Sequence, residues 1–299
     1  MGGTYFNFGS YNYRGGVVFY DKESATMKRA FFILFSVLSI LVLFNMFGCA
    51  GRVDTSKMGP DSHFEYAKKL FDKGKYYDAL TEFTVLVLKY AGNPVIDDAQ
   101  YFLAETQFRM KEYLVAAVEY QKLIDSYPES PYVTLAEFKV GLCYYKLSLR
   151  PELDQEYTYK AIRRFQQFIE EHPNHELRKE AQKLIDEMHV KLGRKKLMAA
   201  DIYRKMGRWS AAKIYYQIVL DEFFDTPLAA DALYWRGESE YMLEEYEHAL
   251  ATLTAYVEKY PNHTYVAKAK ARISEIESII NSRRYKQQKS LKEVGARNE

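Results

Sequence analysis

Five alanines, Ala79, Ala116, Ala161, Ala212 and Ala249, each head the same spaced pattern, and that pattern constrains the fold more than any other feature of the chain. Four residues after each anchor comes a bulky side chain: Phe83, Tyr120, Phe165, Tyr216 and Leu253. Eleven after come Tyr90, Tyr127, His172, Phe223 and Tyr260, followed in three of the five copies by proline, at Pro128, Pro173 and Pro261. Twenty after each anchor is a second alanine (Ala99, Ala136, Ala181, Ala232, Ala269), and five further on stand Ala104, Gly141, Asp186, Gly237 and Ser274, mostly small. The pattern has a physical cause. Small residues let paired helices approach closely, aromatic rings fill the space beside them, and a proline ends one helix before the next begins.

The spacing resembles tetratricopeptide repeats, whose unit is about 34 residues of helix, turn and helix. Separations of 37, 45, 51 and 37 residues between anchors mean that the middle units are enlarged. One insertion is "KLSLRPELDQEYTY" before the third unit; the other lengthens a helix, "RKEAQKLIDEMHVKLGRKKLMAADIYRKMG", before the fourth. The fold class is therefore all-α, a tetratricopeptide-repeat superhelical solenoid of about five helix-turn-helix units and about ten helices, running from Asp61 to near Tyr285. Asp61 or Ser62 is expected to cap the first helix, and Gly74 to sit in the turn that follows. Residues 61–150 form the N-terminal repeats and 151–285 the C-terminal ones. A polar tail, 286–299, lacks apolar periodicity, which already fails beyond Ile280, and is expected to fray. Its surplus of Lys and Arg suits an acidic surface or simply solvent.

Ahead of the repeats, Ala30 to Phe47 carry no charge and follow Lys28 and Arg29, the layout of a secretory signal. Met27 then reads as the start of translation, with residues 1–26 either an upstream start wrongly assigned or a disordered extension. The run is near the lower length limit for crossing a bilayer, so length does not decide between a cleaved signal and a retained anchor. "MFGCAG" favours the first. Gly48 before Cys49 resembles a bacterial lipobox, in which the cysteine is acylated and the chain is cut ahead of it, although Met46 and Phe47 stand where the motif usually has Leu or Val and a small residue. On this reading 27–48 is a signal peptide, Cys49 the lipidation site, and 49–60 a tether. Ala50 resembles the sorting rule for lipoproteins sent to the outer membrane, and acyl chains bind there at about 0.8 kcal/mol per buried CH₂.

Net charge is only +2, which gives no electrostatic footprint for nucleic acid. No Gly-rich phosphate loop, H-E-x-x-H, C-x-x-C or G-x-S-x-G occurs. His172 and His175 in "EEHPNHE" form the nearest metal-like pair, but they sit at an inter-repeat turn and read as solvated, with no further ligands in sight. Cys143 reads as a small buried hydrophobe. A chain of this kind is not expected to be an enzyme or to hold a cofactor or metal. An enzyme acting on peptidoglycan or peptides would need a clustered acid and base, which the sequence does not offer. The informative excess is aromatic: Tyr and Phe beyond the repeat positions, among them Tyr101, Tyr144, Tyr145, Tyr157 and Tyr159, suit a concave binding face.

The signal ending at Cys49, "YAKKLFDKGKYYDALTEF", "AEFKVGLCYYKL", the inserted "DQEYTYKAIRRFQQFIEEHPNH" and "AADIYRKMGRWSAAKIYYQIVLDEFFDTPLAADAL" together resemble the YfiO/ComL family of outer-membrane lipoproteins, over Met27 to about Ile280. The resemblance implies a scaffold on the periplasmic face of the outer membrane. Its partners would be a BamA-type β-barrel protein, other lipoproteins of the assembly machinery, and unfolded outer membrane proteins. It implies substrate-peptide contact near Tyr101, Arg109, Tyr144 and Tyr145, and partner docking near Arg204, Arg208, Trp209 and Tyr215. Another repeat lipoprotein, an adaptor for pilus secretin assembly or cell-wall synthesis, is the alternative.

Overall fold

In the computed structural model, residues 54–295 are described, with side chains up to residue 292. The apolar run, Cys49 and most of the tether lie outside the described residues. Two compact units divide the chain, residues 1–57 and 58–299. Of the first, the described part is a short 3₁₀ turn, Thr55–Lys57, preceded by Asp54, whose carboxylate accepts from the Ser56 amide and hydroxyl.

The second unit carries eleven α-helices among the described residues, and no strand. In chain order they are α1 (Pro60–Asp72), α2 (Tyr76–Lys89), α3 (Ile96–Arg109), α4 (Tyr113–Ser126), α5 (Val133–Leu147), α6 (Glu156–Glu171), α7 (Arg178–Lys205), α8 (Trp209–Glu222), α9 (Leu228–Met242), α10 (Tyr246–Lys259) and α11 (Val266–Gly295). Each packs mainly on its chain neighbours, so α1/α2, α3/α4, α5/α6, α7/α8 and α9/α10 are five helix pairs closed by α11. This is a tetratricopeptide-repeat solenoid, in which each unit buries its apolar face only by stacking on the next.

The repeat pattern explains the core. All ten anchor and second-position alanines are fully buried, as are Phe83, Tyr120, Phe165, Tyr216 and Leu253. A methyl group at Gly141 would sit 2.8 Å from the Phe165 ring, and one at Gly237 would sit 2.7 Å from Leu253, so glycine is what permits these close helix approaches. In the fourth unit the corresponding close contact is made not by Asp186, which is exposed, but by Gly193, 2.9 Å from Phe223. The cause is the length of α7. Its first half puts Ala181, Leu184 and Met188 into one cluster with Phe165 and Phe168, and its second half puts Leu192, Leu197 and Ala200 into another with Tyr216 and Phe223.

Turns repeat as faithfully as the core. Residues eleven after each anchor are all helix C-caps, and each carbonyl accepts an amide three residues on, from Asn93, Ser130, His175, Thr226 and His263. Within four of the five pairs, a three-residue turn passes through a left-handed residue: Gly74 (φ 72°), Lys111 (φ 65°), Gly207 (φ 70°) and Glu244 (φ 58°). The third pair instead carries the insertion. Its loop is held by buried Gln155, which donates to the carbonyls of Arg150 and Leu153, and by Lys191 and Lys195 of α7, which donate to Ser148 and the Leu153 carbonyl.

Two sequence expectations are corrected. Helix α1 begins at Pro60 with Gly59 at the cap position, because proline at the first helical position lacks only an amide that would be unpaired there. The last helix does not stop at Ile280. Helix α11 runs on to Gly295 through residues rich in Lys, Arg, Gln and Glu, good helix formers uninterrupted by proline, and every side chain from residue 281 to 292 is exposed.

Candidate functional site

The four side chains expected at a substrate face lie on α3 and α5, and the structure does not gather them into one site. Tyr101 is in the core, 7% exposed, stacked at 4.3 Å on half-buried Tyr132. Burial and the neighbouring Glu105 push the Tyr101 phenol above its ordinary range. Arg109 is exposed at the end of α3, with its guanidinium 5.9 Å from the Phe71 ring. Tyr144 and Tyr145, adjacent in sequence, turn to different neighbours. Tyr145 donates to Glu187 of α7 at 2.8 Å, whereas Tyr144 faces α6 and stacks on Tyr157.

Around Tyr144 the structure shows a feature that the sequence reading missed. Lys160, Arg163, Arg164 and Gln167 rise along one stripe of α6, and with Tyr144 they line an open pocket of about 340 Å³. Lys160 is spoken for by Glu156 at 2.6 Å, but among the described residues neither Arg163 nor Arg164 has a carboxylate within ion-pair reach. The signal was legible as spacing: residues 160, 163, 164 and 167 fall three and four apart, which places them on one helix face. An aromatic wall with two unneutralised guanidinium groups suits a carboxylate or other anion on an extended ligand, since Arg presents a planar fork of donors.

Beyond this pocket, His172 pairs with Glu137 at 2.5 Å, and His175 accepts from the Leu177 amide. Both are half-buried against Phe168, so the expectation of solvated turn histidines is corrected: His172 ties the inter-repeat turn to α5, and His175 braces the turn itself. Glu137, Glu171 and His172 bring ligand atoms within 4.8 Å of one another, the one such convergence among the described residues. All three lie at the surface, and their hydrogen bond already satisfies the imidazole nitrogen that would face a cation. Cys143 is fully buried, and desolvation pushes its thiol up to about 12, so it stays protonated and unreactive.

The second group of expected residues lies at the end of α7 and the start and middle of α8. Arg208 is exposed and caps α8, Trp209 is the first residue of that helix, and both follow the left-handed Gly207. Tyr215, half-buried, stacks on Tyr203 at 5.3 Å. Arg204 is largely committed within the fold. It donates to Asp201 and to the Tyr216 hydroxyl, and lies 3.9 Å from the Trp235 ring centroid. Near this corner Ile202 and Met206 at the end of α7, and Ile214 on α8, are exposed apolar side chains that sequence reasoning did not single out.

Among the described residues no helix is long and apolar enough to cross a membrane. A curated relative, outer membrane protein assembly factor BamD of Rickettsia prowazekii (strain Madrid E), is 25% identical over 79% of this chain and 96% of its own length. The protein of the same name from Caulobacter vibrioides is 20% identical over 67% of each chain. Among solved structures, the TPR2AB domain of yeast Sti1 in its pHSP90 complex aligns over 75% of this chain and 84% of that one, with 16% identity and a TM-score of 0.39. The model of the YfiO family, described as an outer membrane lipoprotein, matches residues 56–252, from ahead of α1 into α10, and the chain belongs to that family.

Proposed function

We propose that the protein is a non-catalytic scaffold on the periplasmic face of the outer membrane, lipid-anchored through Cys49, that helps recognise and insert outer membrane β-barrel proteins. The observation that carries this reading is the family match across nearly all the repeats, with curated relatives named as outer membrane protein assembly factors. Such a role needs binding and no chemistry. A stacked solenoid offers a preformed surface, so the ordering cost of association falls on the ligand.

In this reading the Tyr144, Arg163 and Arg164 pocket receives a segment of an unfolded barrel protein, with Tyr132 and Arg109 as further contacts along the first repeats. Arg208, Trp209 and Tyr215, together with Ile202 and Met206, dock a BamA-type barrel partner. A central aromatic beside an exposed arginine and apolar side chains is the composition from which binding hot spots are built. Affinity purification from membrane extracts, with mass spectrometry of the partners and of the N-terminal peptide, tests the proposal. Recovery of a β-barrel partner with an acylated Cys49 peptide is the expected result, with recovery reduced about tenfold or more by Arg208→Glu combined with Trp209→Ala. An intact 27–51 peptide and no barrel partner would overturn it.

A further inference from the structure

The second helices of the five pairs, α2, α4, α6, α8 and α10, present one face to solvent, and the apolar content of that face falls along the chain. On α2, Tyr77 is 78% and Leu88 76% exposed, with Val85 beside them. On α4, Leu114, Val115 and Val118 are exposed. Among the described residues α6 exposes only Tyr159 in this way, α8 only Ile214, and α10 none. The stripe Tyr77, Thr81, Thr84, Val85 and Leu88 has the spacing of one helix face and contains no charge; Asp78 and Lys89 stand only at its border.

The two threonine hydroxyls in this stripe are already satisfied. Thr81 Oγ1 donates to the Tyr77 carbonyl at 3.0 Å, and Thr84 Oγ1 donates to the Leu80 carbonyl at 2.7 Å. Withdrawing these two threonines from water therefore strands no donor, and the Tyr77 hydroxyl, at the end of the stripe, can stay among polar headgroups as tyrosine does at membrane interfaces. The position of the stripe is equally specific. Tyr90, the residue that caps the Leu88 end of α2, donates from its hydroxyl to the Met58 carbonyl at 2.7 Å, which holds the start of the repeat unit beside that end. From Met58 back to Cys49 the chain spans at most about 30 Å even when fully extended.

From these observations we infer that the outward face of α2, continued by the first half of α4, rests on the phospholipid surface of the membrane that holds the N-terminus. The inference builds on the proposed anchor, but holds equally for a lipid on Cys49 or a retained apolar run, since that run ends at Phe47, two residues before Cys49. A lipid surface, rather than a protein, is favoured by the uncharged stripe, by its saturated threonine hydroxyls and by the short reach of the tether. An interfacial helix of this kind sinks its apolar face about 5–10 Å into the headgroup boundary. The solenoid would then leave the membrane at its first repeat, with the Tyr144 pocket and the Arg208 corner further along the chain.

The test uses the full chain bound to phosphatidylethanolamine–phosphatidylglycerol vesicles with no other protein present. Leu88→Cys, Val118→Cys and, as a comparably exposed control, Ile214→Cys each carry an environment-sensitive fluorophore, and spin-labelled lipid is the quencher. The parent chain, labelled in parallel, measures any signal from its own cysteines. Quenching about threefold stronger at 88 and 118 than at 214, with blue-shifted emission, is the result expected of interfacial burial. Water-like emission at all three positions while the chain stays on the vesicles overturns the surface and leaves the anchor standing. A chain that does not partition at all overturns both. Shielding of position 88 that appears only when other membrane proteins are added would assign the face to a protein partner and overturn the lipid assignment.

Discussion

At position 111 a lysine holds the left-handed backbone that glycine holds at positions 74 and 207. A side chain with a Cβ is strained there, by roughly 1–2 kcal/mol, so Lys111→Gly is expected to stabilise the protein by about 0.5–1 kcal/mol in a denaturant titration. The opposite holds at position 141. A Cβ there would lie 2.8 Å from the buried Phe165 ring, which is itself packed on Phe138, and Gly141→Ala is expected to destabilise by about 1–3 kcal/mol. Tyr120 and Tyr216 meet the solvent pH through a buried environment. Each is fully buried and donates to a carboxylate, Tyr120 to Glu105 and Tyr216 to Asp201. Burial first, then those carboxylates, push both phenols well above the ordinary value near 10. The folded state therefore keeps protons that the unfolded chain gives up. Their contribution is complete below about pH 10 and is lost as pH rises further, so the unfolding midpoint should fall above that pH. Phenolate absorbance should show these tyrosines ionising only on unfolding.

Among the elements, α7 is the one whose length matters most. A standard repeat needs a helix about half as long. Here one continuous helix, Arg178–Lys205, closes the third core cluster with its first half and opens the fourth with its second. Its middle residues also hold the inserted loop, through Lys191 and Lys195. Arg194 is exposed in the helix interior, so Arg194→Pro tests the backbone alone. It is expected to cost about 3 kcal/mol or more, with hydrogen exchange quickening at both ends of α7, while Arg194→Ala should be nearly neutral. That one helix does both jobs was partly visible in the sequence as a 51-residue separation between anchors. The switch of the tight glycine contact from position 186 to 193 was not, because a fixed count along the chain does not register an added stretch of helix.

At the scale of the whole molecule, the repeat unit is stabilised by separate clusters, each built from neighbouring helices. Gly141 packs on Phe165 in the third pair and Gly237 on Leu253 in the last, with no shared partner. The costs of Gly141→Ala and Gly237→Ala should therefore add to within about 0.5 kcal/mol in the double variant, and a larger coupling would argue against nearest-neighbour stacking. Taken by itself, the sequence determined the all-helical class, the five pairs, the buried alanines and aromatics, and the family. Each of these follows from local spacing, which a stacked repeat converts directly into neighbouring contacts. Only the tertiary structure decided which aromatics remained for binding. Tyr101 and Tyr144 look alike in sequence, yet Tyr101 lies in the core against Tyr132 while Tyr144 walls a pocket beside Arg163 and Arg164. Likewise, Arg204 and Arg208 are four residues apart, but Arg204 is held by Asp201, Tyr216 and Trp235 while Arg208 is exposed at the next cap. Spacing sets which helix face a side chain occupies. What covers that face is set by neighbours brought in from other helices, and their direction and distance are not written in the local sequence.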